Sequence, residues 1–244
     1  MRTLLLICAL TTVGAAWAWQ DPAPVVKEAE TGIPFPTWIN APRGEKSARE
    51  DLLGTGAREK TVFKVNVYAI GLYADMTTAL PALTKAAGAL ERKKAIKDTG
   101  FQQALLRDDI GKSLRWVMAR DVDGEDIAEA FADSLEPRIK AMAKTEAERT
   151  AVAAAVKTFR AYFTTELTEG TELLFHWEPG GRLHTLVGGV NKGVIVNLTL
   201  CAALFDIYLG ADPISSGAKA HVLEGAWQQI QIAAQAAAVP TPTR

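Results

Sequence analysis

The chain has 244 residues, of which 48% are hydrophobic and 23% are charged, and its formal net charge is −1 at pH 7. This is the composition of an ordinary globular protein with enough length for one substantial core. A nearly neutral chain has no bulk electrostatic attraction for nucleic acid or for an anionic membrane, so we expect neither as a partner.

The first 18 residues have the pattern of a secretory signal. Arg2 precedes a short apolar run, and Ala16-Trp17-Ala18 provides the small residues of a cleavage site. The apolar run is too short to span a bilayer comfortably, so an uncleaved membrane anchor is the less favoured interpretation. We therefore predict cleavage after Ala18, export and a periplasmic location, with no transmembrane segment after cleavage.

Cysteine usage supports a mature chain without an internal disulfide. Cys8 lies within the predicted signal, so only Cys201 remains after cleavage. Cys201 lies in the apolar run VNLTLCAALF, which favours a small core residue over a nucleophile.

The N-terminal part of the mature chain changes character near residue 48. Residues 19–47 are rich in Pro, Glu and Lys and predict an extended lead-in with a short strand around residues 35–39. A glycine-punctuated corner follows at residues 52–57. Residues 61–73 are rich in Val, Phe, Tyr and Ile, which predicts a strand. Because side chains alternate along a strand, Val67 and Ala69 should face a core, and Tyr68 should face solvent or a cavity.

The middle of the chain alternates between helical and strand patterns. Apolar spacing and capping signals predict helices over 80–96, 101–112, from 123–126 onward, and from a Thr145-x-x-Glu148 capping box to about Phe163. Residues 112–121 predict a strand. The acidic cluster around Asp121, Asp123 and Asp126, with Arg120, is interpreted as helix capping.

The C-terminal third begins with a hairpin signal, because strand-like segments flank Pro179-Gly180-Gly181. Helical spacing follows over 193–209, and a short helix is predicted after Asp212-Pro213. Residues 229–244 predict a flexible tail. The domain is expected over 48–228, with an α+β fold in which helices cluster on one side of an antiparallel sheet.

Two motifs are similar to those of nucleotide-binding and metal-binding sites, but their sequence context does not support either function. Gly54-x-Gly56 does not follow a strand and open a helix, so it lacks the context of a nucleotide loop. In the predicted hairpin His176 faces His184 on one sheet face, but no third metal ligand is evident. We therefore predict no cofactor and no metal.

Arg58 and Tyr68 are the remaining candidates for a binding site. A buried arginine requires an anionic or strongly accepting partner, and a tyrosine hydroxyl nearby can share that partner. Ten residues of straight strand span about 33 Å, so the two side chains meet only if the chain bends between them.

The order of six segments resembles the chalcone isomerase-like family, in particular its exported bacterial branch. The segments are GTGAR, VFKV, VYAIGLY, LRWVMARDV, LLFHWEPGGRL and DIYLGADPISSGAKAHVLEG. The resemblance covers roughly residues 48–225. It implies an open-faced β-sandwich, in which a large antiparallel sheet has helices layered on one face and a ligand cleft lies between them.

The family's plant enzymes cyclise chalcones, and the resemblance carries over only part of their site. Arg58 matches their corner arginine, whereas Tyr68 stands where they have a threonine. The later-helix tyrosine and asparagine are replaced by Asp126 or Ile127 and by Asp133 or Ser134, and Ile207 replaces a further threonine.

The family also contains non-catalytic fatty-acid-binding members, and Arg58 with Tyr68 is similar to the pair that grips the carboxylate in them. The resemblance therefore implies a non-enzymatic protein that binds a fatty acid or similar apolar carboxylate through Arg58 and Tyr68. The alternative is an intramolecular lyase or isomerase acting on an enone-like substrate, with the same two residues as the catalytic pair. A third interpretation is a structural protein whose cleft is filled by its own side chains. Protein partners are not identified by the sequence.

Overall fold

A computed structural model of the protein describes residues 23–60 and 65–238. The predicted signal sequence lies outside these ranges, and so do residues 61–64 of the predicted first strand and residues 239–244 of the predicted tail.

One antiparallel sheet of seven strands forms the centre of the fold, and its strands follow one another in chain order. A small hairpin of β1 (Val25–Lys27) and β2 (Pro34–Pro36) precedes this sheet. The seven strands are β3 (Trp38–Arg43), β4 (Lys46–Lys60), β5 (Val65–Ala74), β6 (Lys112–Met118), β7 (Glu172–Glu178), β8 (Arg182–Val187) and β9 (Val190–Val196).

Seven helices in the described residues are inserted between or after these strands. Three follow β5: α1 (Met76–Ala87), α2 (Arg92–Ala95) and α3 (Thr99–Ala104). Two follow β6: α4 (Gly124–Met142) and α5 (Glu146–Arg160). Two follow β9: α6 (Leu198–Leu209) and α7 (Ser216–Ala238). None of the helices in the described ranges combines the length and apolar character needed to cross a bilayer.

The two faces of the sheet bury cores of different size. The helices pack on one face, and with it they enclose the larger core, which includes Leu72, Trp116 and Phe175. On the other face a smaller core forms around Phe35 and Tyr73. The predicted α+β architecture, with helices on one side of an antiparallel sheet, is therefore confirmed.

Both faces of β5 are buried. Ala69 faces a core as expected, but this is the smaller core. Tyr68 points into the larger core and is only 5% exposed, and it lines a cavity there, which is one of its two predicted surroundings. A strand buried on both faces cannot be divided into core and solvent faces by residue polarity alone.

Local signals identified several boundaries correctly. Thr145 and Glu148 form the predicted capping box of α5, and Asp123 caps α4 through the Glu125 N–H. In the β7–β8 hairpin, His176 pairs with His184 as the spacing predicts.

Other boundaries were wrong. The glycine corner is part of the long strand β4, and the lead-in supplies β3 to the sheet. The predicted helix over 80–96 is interrupted at Gly88, whose φ of 51° is favourable for glycine. The helix predicted over 101–112 ends at Ala104.

The C-terminal predictions also require correction. Residues 193–209 are the end of β9 followed by α6, because the Asn197 side chain accepts a hydrogen bond from the Leu200 N–H and starts the helix there. The short helix predicted after Asp212-Pro213 is instead α7, which begins at Ser216. It extends to Ala238, so residues 229–238 of the predicted tail are helical, and their contacts with the core include the buried Ile230.

Candidate functional site

Arg58 and Tyr68 are direct neighbours across two strands. Arg58 lies on β4 and Tyr68 on β5, and their Cα positions are partners in the antiparallel register. The chain reverses direction between β4 and β5, which provides the bend that the sequence required.

The glycines before Arg58 allow close packing of α7 against β4. A Cβ added at Gly54 would lie 2.6 Å from backbone atoms of α7, and one at Gly56 would lie 2.4 Å from the Cβ of Ala218. On the helix, a Cβ added at Gly225 would lie 1.7 Å from the Leu53 carbonyl oxygen. These glycines therefore permit helix–strand contact, and they do not form a phosphate loop.

A cavity of about 290 Å³ lies between the sheet and the helices, and both Arg58 and Tyr68 line it. Its inner wall is largely aromatic and aliphatic. The apolar and phenolic lining includes Val67, Trp116, Ile127, Phe131, Ile207, Tyr208 and Ile214. The structure thus brings the two predicted residues to one cavity and places an apolar surface beside them.

Tyr208 of α6 joins Tyr68 in a buried pair of phenols. Their hydroxyl oxygens are 2.8 Å apart, and Tyr208 is only 2% exposed. Burial raises the pKa of Tyr68 to about 12, although its hydrogen bond with Tyr208 and the charge of Arg58 act in the opposite direction. Burial and the Tyr68 hydroxyl raise the pKa of Tyr208 well above its usual value. Both phenols are therefore neutral near pH 7, and one O–H remains to donate into the cavity.

The hydrogen bonding of Arg58 within the protein is weak for a half-buried guanidinium. Its Nη1 donates to the Ile214 carbonyl oxygen over 3.4 Å, a long hydrogen bond. Within the described ranges, no carboxylate lies within ion-pair distance of Arg58. Arg138, by contrast, pairs with Asp206 at 3.0 Å. Arg58 thus brings a positive charge to the cavity beside a phenol donor, and none of the carboxylates in the described ranges, including those that line the cavity, forms an ion pair with it.

Stacked rings hold Tyr68 in place. Tyr68 and Trp116 are nearly parallel, with ring centroids 3.9 Å apart, and Phe131 continues the stack 5.0 Å beyond Trp116. Ring stacking of this kind fixes ring orientation as well as burying area. The Tyr68 hydroxyl is therefore held in one direction by packing on β6 and α4.

The cavity mouth carries the charged cluster that the sequence assigned to capping. Arg120, Asp121, Asp123 and Asp126 line the cavity and are exposed. Asp123 caps α4, and Asp121 accepts a hydrogen bond from the Glu169 N–H. Capping is confirmed for Asp123, and Asp121 instead holds the loop before β7.

The two hairpin histidines lie on the other face of the sheet, away from the cavity. His184 Nε2 is 2.8 Å from Glu178, and His176 Nε2 is 2.8 Å from the Pro42 carbonyl oxygen. The pKa of His184 is lowered, because burial outweighs the opposing effect of its hydrogen bond with Glu178. In residues 23–60 and 65–238, no three His, Cys, Asp or Glu side chains are grouped so as to hold a metal ion.

Cys201 is fully buried in α6, as the apolar run predicted. Burial raises the pKa of its thiol to about 12. A thiol in this environment is neither ionised nor accessible, so Cys201 is a core residue.

Tyr208 is the site residue that the sequence did not identify. In the segment DIYLG the family resemblance points to Ile207, which also lines the cavity. Tyr208 follows directly in a mostly apolar helix, where its hydroxyl requires a buried partner. Only the packing of α6 against β5 shows that this partner is Tyr68.

Comparisons with known proteins bear on the family and the fold. The family model described as chalcone isomerase like matches residues 48–223. Fatty-acid-binding protein 2 of Arabidopsis thaliana is 28% identical over 80% of this chain, and the match covers 49% of the relative, so the chain spans about half of that protein's length. Fatty-acid-binding protein 1 of the same plant is 24% identical, covering 82% of this chain and 70% of the relative.

An enzyme and a solved structure are also similar. Chalcone–flavanone isomerase of Oryza sativa subsp. japonica is 28% identical over 89% of this chain and 97% of its own length. A crystal structure of an Arabidopsis thaliana fatty-acid binding protein superposes with a TM-score of 0.72 at 22% identity, covering 85% of this chain and all of that one. The superposition supports the fold, and the family match covers most of the sequence. The chain belongs to the chalcone isomerase-like family.

Proposed function

We propose that this protein binds a fatty acid or a similar apolar carboxylate in the cavity between sheet and helices, without catalysing a reaction. The observation that carries the proposal is Arg58, a half-buried guanidinium that lines the cavity without a carboxylate partner in the described chain. A ligand carboxylate would supply the missing anion, and a neutral phenol of the Tyr68–Tyr208 pair would donate a second hydrogen bond. The names of the two Arabidopsis relatives support this ligand class.

The size of the cavity limits how much of the ligand is enclosed. A volume of about 290 Å³ is at the lower end for ligand pockets. If each non-hydrogen group fills about 30 Å³, as a water molecule does, the cavity holds about ten of them. Affinity should therefore rise with chain length up to about octanoate or decanoate, and then change little, because longer tails extend through the mouth.

The test is calorimetric titration of delipidated protein with acids of increasing length, using wild type, Arg58→Gln and Arg120→Gln. Arg120 is the matched control, because it also lines the cavity but lies exposed at the mouth. Loss of a charge-assisted hydrogen bond should weaken decanoate binding about tenfold to a hundredfold in Arg58→Gln. Arg120→Gln should change affinity less than about threefold. Equal affinities in all three proteins would contradict the proposal, as would tighter binding of the methyl ester than of the acid.

The alternative isomerase function has its own measurement. In that case Arg58 would stabilise developing negative charge and Tyr68 would donate a proton. The 97% coverage of the rice enzyme is the observation that favours it. Flavanone formation from chalcones above the uncatalysed rate, lost in Tyr68→Phe, would establish this function in place of simple binding.

We propose further that the protein is exported, with residues 1–18 as a signal and a periplasmic mature chain. The proposal depends on the charged, apolar and small-residue order of that segment. N-terminal sequencing of the protein from a periplasmic fraction should begin at Trp19. An intact N-terminus in the cytoplasmic fraction would refute export.

A further inference from the structure

A second concave surface lies on the outside of the helical layer, between α4 and α5. The groove has a volume of about 1120 Å³ and does not share the ligand cavity's charged or phenolic residues. Its floor is made of small and aliphatic side chains, namely Ala132, Leu135, Ile139, Val152, Ala153 and Val156. The floor can therefore accept close contact from another helical surface.

The two walls of the groove carry opposite charges over the half that lies away from residues 142–146. Near residues 142–146 the lining is mixed, with Glu136 and Lys140 on α4 and Arg149 on α5. In the other half, Glu125 and Glu129 lie along the α4 wall, and Lys157 and Arg160 lie along the α5 wall. All four side chains are exposed. Within the part of the chain that the structure describes, none of them is in an ion pair or a side-chain hydrogen bond. This half of the groove is thus flanked by an acidic wall and a basic wall whose charges are not paired across it.

The charges of the two walls are at matched levels. Helices α4 and α5 pack together and are joined by a short turn between Met142 and Glu146. At 1.5 Å per residue, Glu129 lies roughly 20 Å from this turn along α4, and Lys157 lies roughly 17 Å from it along α5. Glu125 and Arg160 are matched in the same way, at roughly 25 Å and 21 Å.

We propose that the groove is the interface of a homodimer whose two-fold axis runs parallel to the groove. Rotation about such an axis places α4 of one copy over α5 of the other and keeps each residue at its level. Glu129 would then meet the Lys157 of a second copy, and Glu125 would meet its Arg160. Lys140 would come level with the second copy's Arg149, so the charge complementarity is confined to the half of the groove away from residues 142–146. The alanine and valine floors would pack against each other between these two rows of charge. A two-fold axis across the groove would instead place acidic walls together, which like-charge repulsion disfavours.

The dimensions of the surface predict a weak dimer. Helix α5 has 15 residues, which gives a contact about 22 Å long, and two helices side by side are about 20 Å wide. The buried area is then roughly 900 Å² over both copies, close to the lower limit for a specific interface. Because the charges are exposed, association should weaken as salt is added.

The test is sedimentation velocity of the full chain over a range of protein concentrations at low and high salt. Wild type should form a dimer that weakens with salt. Glu129→Lys and Lys157→Glu should each weaken the dimer at least about fivefold, since each change occurs twice in the symmetric interface. An equimolar mixture of the two variants should form a heterodimer about as strong as the wild-type dimer, because both contacts between positions 129 and 157 again join opposite charges.

Glu166→Lys is the matched control, because it makes the same charge change at an exposed position outside the groove. It should leave the dimer unchanged. Decanoate affinity of all variants should equal that of wild type, which separates this proposal from the ligand site. A wild type that is monomeric at every concentration would overturn the proposal, including the case where a different partner occupies the groove. A mixture that stays as monomeric as its two components would also overturn it.

Discussion

Gly225 provides a direct test of how α7 is fixed against the strand that carries Arg58. A Cβ at this position would lie 1.7 Å from the Leu53 carbonyl oxygen, whereas ordinary contacts begin at 3.4 Å. Because the backbone fixes the position of a Cβ and the Leu53 oxygen is itself a backbone atom, no side-chain rotation relieves the clash, and α7 must move away from β4. Gly217, on the same helix, has no atom within 4 Å of the equivalent position.

The expected magnitudes follow from two opposing effects. Replacing a helical glycine with alanine gains about 1 kcal/mol in propensity. Overpacking costs about 3 kcal/mol at the upper end of its usual range, which is appropriate for a backbone clash. Gly225→Ala should therefore lower the free energy of unfolding by about 2 kcal/mol, whereas Gly217→Ala should raise it by up to about 1 kcal/mol.

Urea unfolding of both variants and wild type, with the slopes compared, measures this difference. In thermal unfolding the two variants should differ by roughly 6–12 °C for a chain of this size. The variant Gly225→Ala should also bind decanoate less tightly, because displacement of α7 disturbs β4 near Arg58. If Gly225→Ala is as stable as Gly217→Ala, the glycine does not serve close packing and the reasoning is wrong.

Three further predictions concern buried polar groups. Tyr208→Phe should weaken decanoate binding about threefold to tenfold. Tyr68→Phe should weaken binding less in the Tyr208→Phe protein than in wild type, because each hydroxyl is the hydrogen-bond partner of the other. Additive losses of affinity in calorimetric titration would contradict a coupled pair. Burial raises the pKa of Glu178, but hydrogen bonds from His184, the Gly44 N–H and Arg182 outweigh it and lower the pKa to about 2. Its stabilising effect should thus be complete above pH 4.5 and lost as the pH falls toward 2. Urea midpoints should then fall more for wild type than for Glu178→Gln between pH 5 and 3, and parallel curves would refute this. Cys201 should react with a thiol reagent only on unfolding, given its burial and its pKa of about 12; rapid reaction in native buffer would show an opening that the packing does not predict.

Local sequence signals predicted those features of the fold that depend on neighbouring residues. The capping box of α5 and the β7–β8 hairpin are set by short-range hydrogen bonds and turn chemistry. The corner predicted at GTGAR was wrong, because glycine by itself is typical of turns, whereas here the glycines lie in strand β4 and allow close packing of α7. The helix predicted over 193–209 was wrong for a related reason, since the strand β9 and the helix α6 are both apolar and adjoin at Asn197.

The candidate site also combines features that the sequence determines with features that only the tertiary structure determines. The sequence by itself determined the family, the α+β class, and the two residue types suited to an apolar carboxylate, Arg58 and Tyr68, since these depend on residue identity and order along the chain. Only the tertiary structure decided that these residues are cross-strand partners on one cavity, because register and strand reversal are properties of the folded sheet. It also added Tyr208, which lies 140 residues from Tyr68 in the chain and 2.8 Å from it between hydroxyl oxygens. A contact across such a separation arises from the packing of α6 on the sheet, and residue spacing along the chain does not encode it.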